Sequence, residues 1–131
     1  STDSERDTIP MWPFTRREKT MNYRMIDSDF AVSGQITPAE VRDIAAAGFK
    51  SILCARPDGE DHGQPAFSEI ERAAAENGLT AIQIPISGSI GEGAIIRMGD
   101  ALAAMPKPMF GYCRSGGRAG SLYAAALKAA R

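Results

Sequence analysis

The stretch that most constrains the fold is an apolar run, Pro108-Met109-Phe110-Gly111-Tyr112, that leads straight into Cys113-Arg114-Ser115-Gly116-Gly117-Arg118-Ala119-Gly120. The run reads as a buried strand, and the alanine-rich pattern after the loop reads as a helix. Strand, short glycine-bearing loop and helix in immediate succession form an anion cradle with a thiol at its floor. Loop N–H groups converge on one point, and the helix N-terminus adds partial positive charge. Both effects favour a thiolate, the nucleophilic form of cysteine. Cys113 is therefore the candidate nucleophile, and Arg118 the fork for a bound oxyanion. Arg114, Ser115, Gly116, Gly117 and Ala119 complete the loop.

Strand and helix signals alternate from Phe30 onward. Phe30–Ile36 reads as a strand. Thr37-Pro38-Ala39-Glu40 carries a helix start, with Thr37 as cap, Pro38 at the first position and Glu40 reaching back. Val41, Ile44 and Ala45 form that helix's apolar face, and Gly48 stops it. Ser51–Ala55 is a second strand. A loop from Arg56 to Gln64 leads to a helix opened by Pro65 and ended by Gly78. Thr80–Ile86 is a third strand, Gly91–Met105 a further helix, and a last helix runs from about Arg118 to the end. Such alternation predicts an α/β layer fold with a mainly parallel central sheet. Ligands of these sheets bind beyond the C-terminal strand ends. That rule gathers the Arg56–His62 loop, Ser87-Gly88-Ser89 and the Cys113 loop at one edge, with Arg56, Ser87 and His62 as rim residues.

Residues 1–24 differ from the rest. Ser1–Pro10 is polar and charged with no apolar period, Met11-Trp12-Pro13-Phe14 is a short apolar patch before Thr15-Arg16-Arg17-Glu18-Lys19, and residues 1–24 read as a flexible leader before a domain spanning 25–131. Trp12 and Phe14 are the residues with which such a leader can dock. The formal net charge of −1, with no basic stripe, argues against nucleic-acid and polybasic membrane contacts. No apolar run is long enough to span a bilayer and no signal-peptide pattern is visible, so a cytoplasmic location is expected. Two distant cysteines and one histidine make neither a disulfide framework nor a zinc site. Cofactor-free, metal-free chemistry is expected. Cys54 reads as a small core residue, with the resolution of an oxidised Cys113 as its alternative.

A thiolate below a ring of N–H donors can take a phosphoryl group as thiophosphate or a sulfane sulfur as persulfide. Loop length and proton supply separate the two. Four residues lie between Cys113 and Arg118. Tyrosine and dual-specificity phosphatases place one more there, whereas Cys-Arg-Ser-Gly-Gly-Arg resembles the shorter loop of single-domain rhodaneses. A tighter cradle suits a terminal sulfur better than a tetrahedral phosphoryl group. Phosphomonoester cleavage also needs a general acid for its leaving group. The segment Ile84-Pro85-Ile86-Ser87-Gly88-Ser89 holds no carboxylate. Asp58, Glu60 and Asp61 on the neighbouring loop can substitute, and Asp58, set between Pro57 and Gly59, is the choice among them. Pure turn chemistry at Pro57-Asp58-Gly59 is the competing reading.

Val32-Ser33-Gly34-Gln35-Ile36, Arg56-Pro57-Asp58-Gly59-Glu60, Gly63-Gln64-Pro65, Ile84-Pro85-Ile86 and Tyr112-Cys113-Arg114-Ser115-Gly116 together resemble the phosphatase-like domain of the beta-lactamase-hydrolase-like family. The likeness runs from about Tyr23 to the end, in the same segment order. It implies a fold like that of dual-specificity phosphatases, a central sheet flanked by helices with the cysteine loop at its edge. It also implies phosphatase or sulfurtransferase activity on a small anionic or sulfane-sulfur substrate, Cys113 as nucleophile and Arg118 as oxyanion clamp. Some members are fused to a metallo-beta-lactamase-type persulfide dioxygenase, the partner this likeness suggests. The chain departs from the pattern at Gly117 and Ala119, where members often carry hydroxyl residues. A missing hydroxyl after the Arg disfavours thiophosphate hydrolysis more than persulfide transfer. A weakly active anion-binding or sulfide-sensing module is the third reading.

Overall fold

In the computed structural model, residues 22–130 are described. Strand β1 (Arg24–Asp27) turns back onto β2 (Phe30–Ser33). A 3-10 turn (Pro38–Glu40) feeds α1 (Val41–Ala46), followed by β3 (Ser51–Cys54) and α2 (Phe67–Glu76). Next come β4 (Thr80–Gln83), α3 (Glu92–Ala104), β5 (Met109–Tyr112) and α4 (Gly117–Ala129). The five strands lie in the order β1-β2-β5-β3-β4. Among the described residues, only the β1–β2 pair is antiparallel. The mainly parallel sheet flanked by helices is the expected α/β architecture.

The strand period of two sorts side chains onto two cores. Phe30, Val32, Leu53, Ala55 and Met109 face α3 and α4, together with Met98, Leu122 and Tyr123. Ala31, Ile52, Cys54, Phe110 and Tyr112 face α1 and α2, together with Ile44 and Ile70. Strand β5 lies between β2 and β3 and is buried along its whole length. The central strand of the sheet therefore delivers Cys113.

The helix start at Thr37 forms as its chemistry predicts. Thr37 N–H donates to Glu40 Oε1 at 2.8 Å, and Glu40 N–H donates to Thr37 Oγ1 at 3.3 Å. The strands are shorter than their apolar runs suggest. Ile84 and Ile86 lie beyond β4, but their N–H groups still bond to Cys54 O and Ala55 O.

Strand β1 was not expected. All four of its residues are exposed, so it lacks an alternating signal. Tyr23 and Arg24, which precede residue 25, are also part of the described fold. The Tyr23 ring packs edge-on against Phe49 and Phe110, with centroids 5.3 and 5.6 Å apart. Trp12, Phe14 and most of the expected leader lie outside the described residues. Among the described residues, no helix is long and apolar enough to cross a membrane.

Candidate active site

The Cys113 loop is shaped by glycines at two close approaches. Gly116 has φ +97° and starts α4 from the left-handed region, where a side chain is strained. A Cβ on Gly34 would stand 3.0 Å from Arg114 O, so only glycine lets the turn after β2 pass beneath the loop. Gly116 N–H donates to Cys113 Sγ at 3.0 Å, and Cys113 N–H donates to Ser33 O at 3.3 Å. The sulfur is fully buried against the α3/α4 core, at the base of the loop and N-terminal to α4. Ala119 is buried behind it, while Arg114, Ser115 and Gly117 are exposed.

Arg118 is held by three hydrogen bonds. Its Nη1 donates to Glu60 Oε2 at 2.8 Å and to Ile86 O at 2.7 Å, and its Nη2 donates to Glu60 Oε1 at 2.7 Å. Hydrogen bonding to Glu60 is the largest influence raising its pKa, and the neighbouring Cys113 contributes in the same direction. Glu60 is itself held from behind. Arg56, with 1% exposure, donates from Nε to Glu60 Oε1, from Nη1 to Gln35 Oε1 and from Nη2 to Asp61 Oδ2, each at 2.9 Å. A buried guanidinium requires such partners, and its charge is met on every side. Arg114 reaches the same Asp61 at 3.3 Å from an exposed position. Gln64 fastens the loop by accepting from the N–H groups of Glu60 and Asp61, both at 3.1 Å.

The sheet edge therefore gathers Cys113, Arg118, Arg56 and Arg114 as expected. Arg56 differs from its expected role, because it is a buried scaffold for two carboxylates and not an open rim cation. Ser87 and His62 lie exposed on their loops. Ser87 follows Ile86, whose carbonyl holds Arg118. Glu60 was weighed as a stand-in acid, but its position shows a different role. Arg118 first, and Arg56 behind it, lower its pKa to about 2. It remains a fixed anion at any neutral pH. Gln35 was missed because a neutral amide after a strand gives no chemical signal.

Asp58 is placed at the start of α2. Its Oδ1 accepts from Phe67 N–H at 2.9 Å, a bond that Ala66 at the N-cap cannot supply. This is the turn-and-cap role that competes with acid catalysis. Asp58→Ala should lower stability by about 1 kcal/mol while turnover stays within about threefold. Thermal melts and initial rates check both, and a collapse in rate with an unchanged melt would restore the acid.

Cys54 lies on the opposite face of the sheet from Cys113. Its Sγ donates to Arg56 O at 3.3 Å, and burial raises its pKa. It is a core residue, as its sequence context suggests.

A cysteine at the end of a central parallel strand, followed by an Arg-bearing helix start, defines a phosphatase-like α/β domain. Residues 22–130 match the phosphatase-like domain of the beta-lactamase hydrolase-like proteins, and the chain belongs to that family. A beta-lactamase hydrolase-like protein of Agrobacterium fabrum is 38% identical over 99 residues, which are 75% of this chain and 23% of that relative. The chain thus spans about a quarter of the length of the curated relatives it matches. Among solved structures, a candidate phosphatase of Neisseria meningitidis Z2491 has TM-score 0.69 and 28% identity, covering 82% of this chain and 75% of that one. Tk-PTP in its active form has TM-score 0.63 and 19% identity, covering 83% and 74%, and shares the fold.

Proposed function

We propose that Cys113 accepts a sulfane sulfur and passes it to a thiol or to sulfite. The observation that carries this reading is the loop itself, with four residues between Cys113 and Arg118 and no hydroxyl at Ala119. Proton supply supports it. The segment after β4 has no carboxylate, Asp58 caps α2, and Glu60 is held at about 2. Phosphomonoester cleavage needs a proton for its leaving oxygen, whereas exchange between sulfurs does not.

The steps balance simply. The Cys113 thiolate attacks the outer sulfur of the donor. The donor's S–S bond breaks and its electron pair leaves with the inner group, which is sulfite when thiosulfate is the donor. Cys113 then carries a persulfide. An acceptor thiolate attacks the terminal sulfur, and Cys113 departs as thiolate. Gly116 N–H, already on Sγ, stabilises that leaving sulfur.

The fold supports a second reading more directly than the first. The solved structures this chain resembles are described as phosphatases. In that reading Cys113 attacks phosphorus, the substrate oxygen leaves, and water cleaves the thiophosphate. Mass spectrometry separates the two. Incubation with glutathione persulfide, or with thiosulfate at higher concentration, should add one sulfur atom at Cys113. An unmodified Cys113 alongside turnover of aryl phosphates would establish the hydrolase instead.

The curated relatives are about four times longer than the matched segment. A metallo-beta-lactamase-type persulfide dioxygenase, which consumes persulfides, is the proposed partner for the product. The proposed setting is the cytoplasm, where thiol acceptors are kept reduced.

A further inference from the structure

Arg118 carries five N–H donors. Glu60 takes one from each Nη across the end of the guanidinium, and Ile86 O takes the second from Nη1. The Nε hydrogen and the remaining Nη2 hydrogen share the other edge of the group. Among the described residues, neither is donated to a protein oxygen, and the side chain within reach is Cys113, which interacts with the Arg118 guanidinium. One bidentate fork is therefore left for a ligand beside Cys113, while the other is permanently held by a carboxylate.

The charges at this mouth nearly cancel. Arg56, Arg114 and Arg118 are met by Glu60 and Asp61 through ion pairs of 2.7–3.3 Å. An ionised Cys113 would remove what net positive charge remains. Glu60 stays negative at neutral pH because Arg118 and Arg56 hold its proton off. Its side chain is 26% exposed, so its charge is only partly shielded from solvent.

We propose that Glu60 selects substrates by charge, admitting singly charged persulfide or polysulfide termini to the Arg118 fork and disfavouring dianions such as thiosulfate or a phosphomonoester. The donor named here rests on the persulfide reading above, but the anion selectivity can be measured without any turnover. A second negative charge a few ångströms from Glu60 changes affinity on the order of tenfold with surface-type screening. Arg56 acts as a positioning residue, since it fixes the carboxylate that sits next to the open edge of Arg118.

The test uses Cys113→Ser protein, so that no chemistry intervenes, and two tetrahedral anions that differ by one charge, sulfate and methanesulfonate. Calorimetry should show methanesulfonate binding at least as tightly as sulfate. Adding Glu60→Gln should tighten sulfate about tenfold and reverse the order, while Glu60→Asp, which keeps the charge, should retain the original order. A role confined to holding Arg118 in place predicts the opposite, because sulfate would then weaken in Glu60→Gln. That weakening overturns the proposal, and so does equal tightening in Glu60→Asp. Should Glu60→Gln fail to fold, a several-fold preference for sulfate in the Glu60-bearing protein overturns it alone. Failure of sulfur transfer in the mass experiment leaves these binding constants standing, so the two ideas fail separately.

Discussion

Cys113→Ser should end the proposed sulfur transfer, with a loss on the order of a thousandfold or more in initial rate. Serine is smaller and can still accept the Gly116 N–H, so the loop and the melting temperature should change little. The substitution removes the sulfur atom proposed to carry a second one. Intact mass after exposure to a sulfane donor should show no gain in the variant and one added sulfur in the parent. The same substitution ends phosphatase turnover in the second reading, so the added sulfur in the parent is the discriminating observation. Retained transfer in Cys113→Ser would move the chemistry elsewhere and remove the basis of the site.

The second large effect concerns stability. Gly111 lies on β5, paired with Val32 on one side and Leu53 on the other. A Cβ there would stand 2.5 Å from Phe30 Cζ and 3.3 Å from Ala119 Cβ. Phe30 has no room to yield. It is fully buried and stacked on Tyr123, with centroids 4.1 Å apart and ring planes 8° apart. Tyr123 is held in turn by its hydroxyl, which donates to Asp27 Oδ2 at 2.6 Å. Overpacking a site so confined costs about 3 kcal/mol, and Gly111→Ala should lower the melting temperature by roughly 10 °C or more. Activity should fall with it, because Ala119 follows Arg118 directly. Phe30→Leu introduced together with Gly111→Ala should recover part of the loss, since the two positions share one contact. An unchanged melt in the single variant would refute the steric account.

The two predictions differ in how far they can be read from sequence. The cysteine loop was legible because strand, glycine turn and helix start are local signals. So was the helix start at Thr37, whose two capping bonds form within four residues. The gathering of the Arg56 loop against the Cys113 loop followed from topology alone. The role of Gly111 was not legible, because it depends on a ring from β2 meeting α4 across a sheet face. The role of Glu60 was hidden for a related reason. A carboxylate in a polar loop reads as a proton donor until two guanidiniums, one from 58 residues further along the chain, are seen to hold it. Asp58 shows the converse. Its flanking Pro57 and Gly59 drew attention to it, but its partner is a backbone N–H nine residues away.

The placement of the two cysteines has a consequence for repair. Cys54 ends β3 and Cys113 directly follows the adjacent β5, yet they enter opposite cores and the sheet stands between them. Under the proposed chemistry, peroxide damage at Cys113 finds no internal thiol within reach with which to close a disulfide. Every sulfenate formed there must wait for a small thiol arriving from solvent, which ties recovery of the protein to the reducing power of its surroundings.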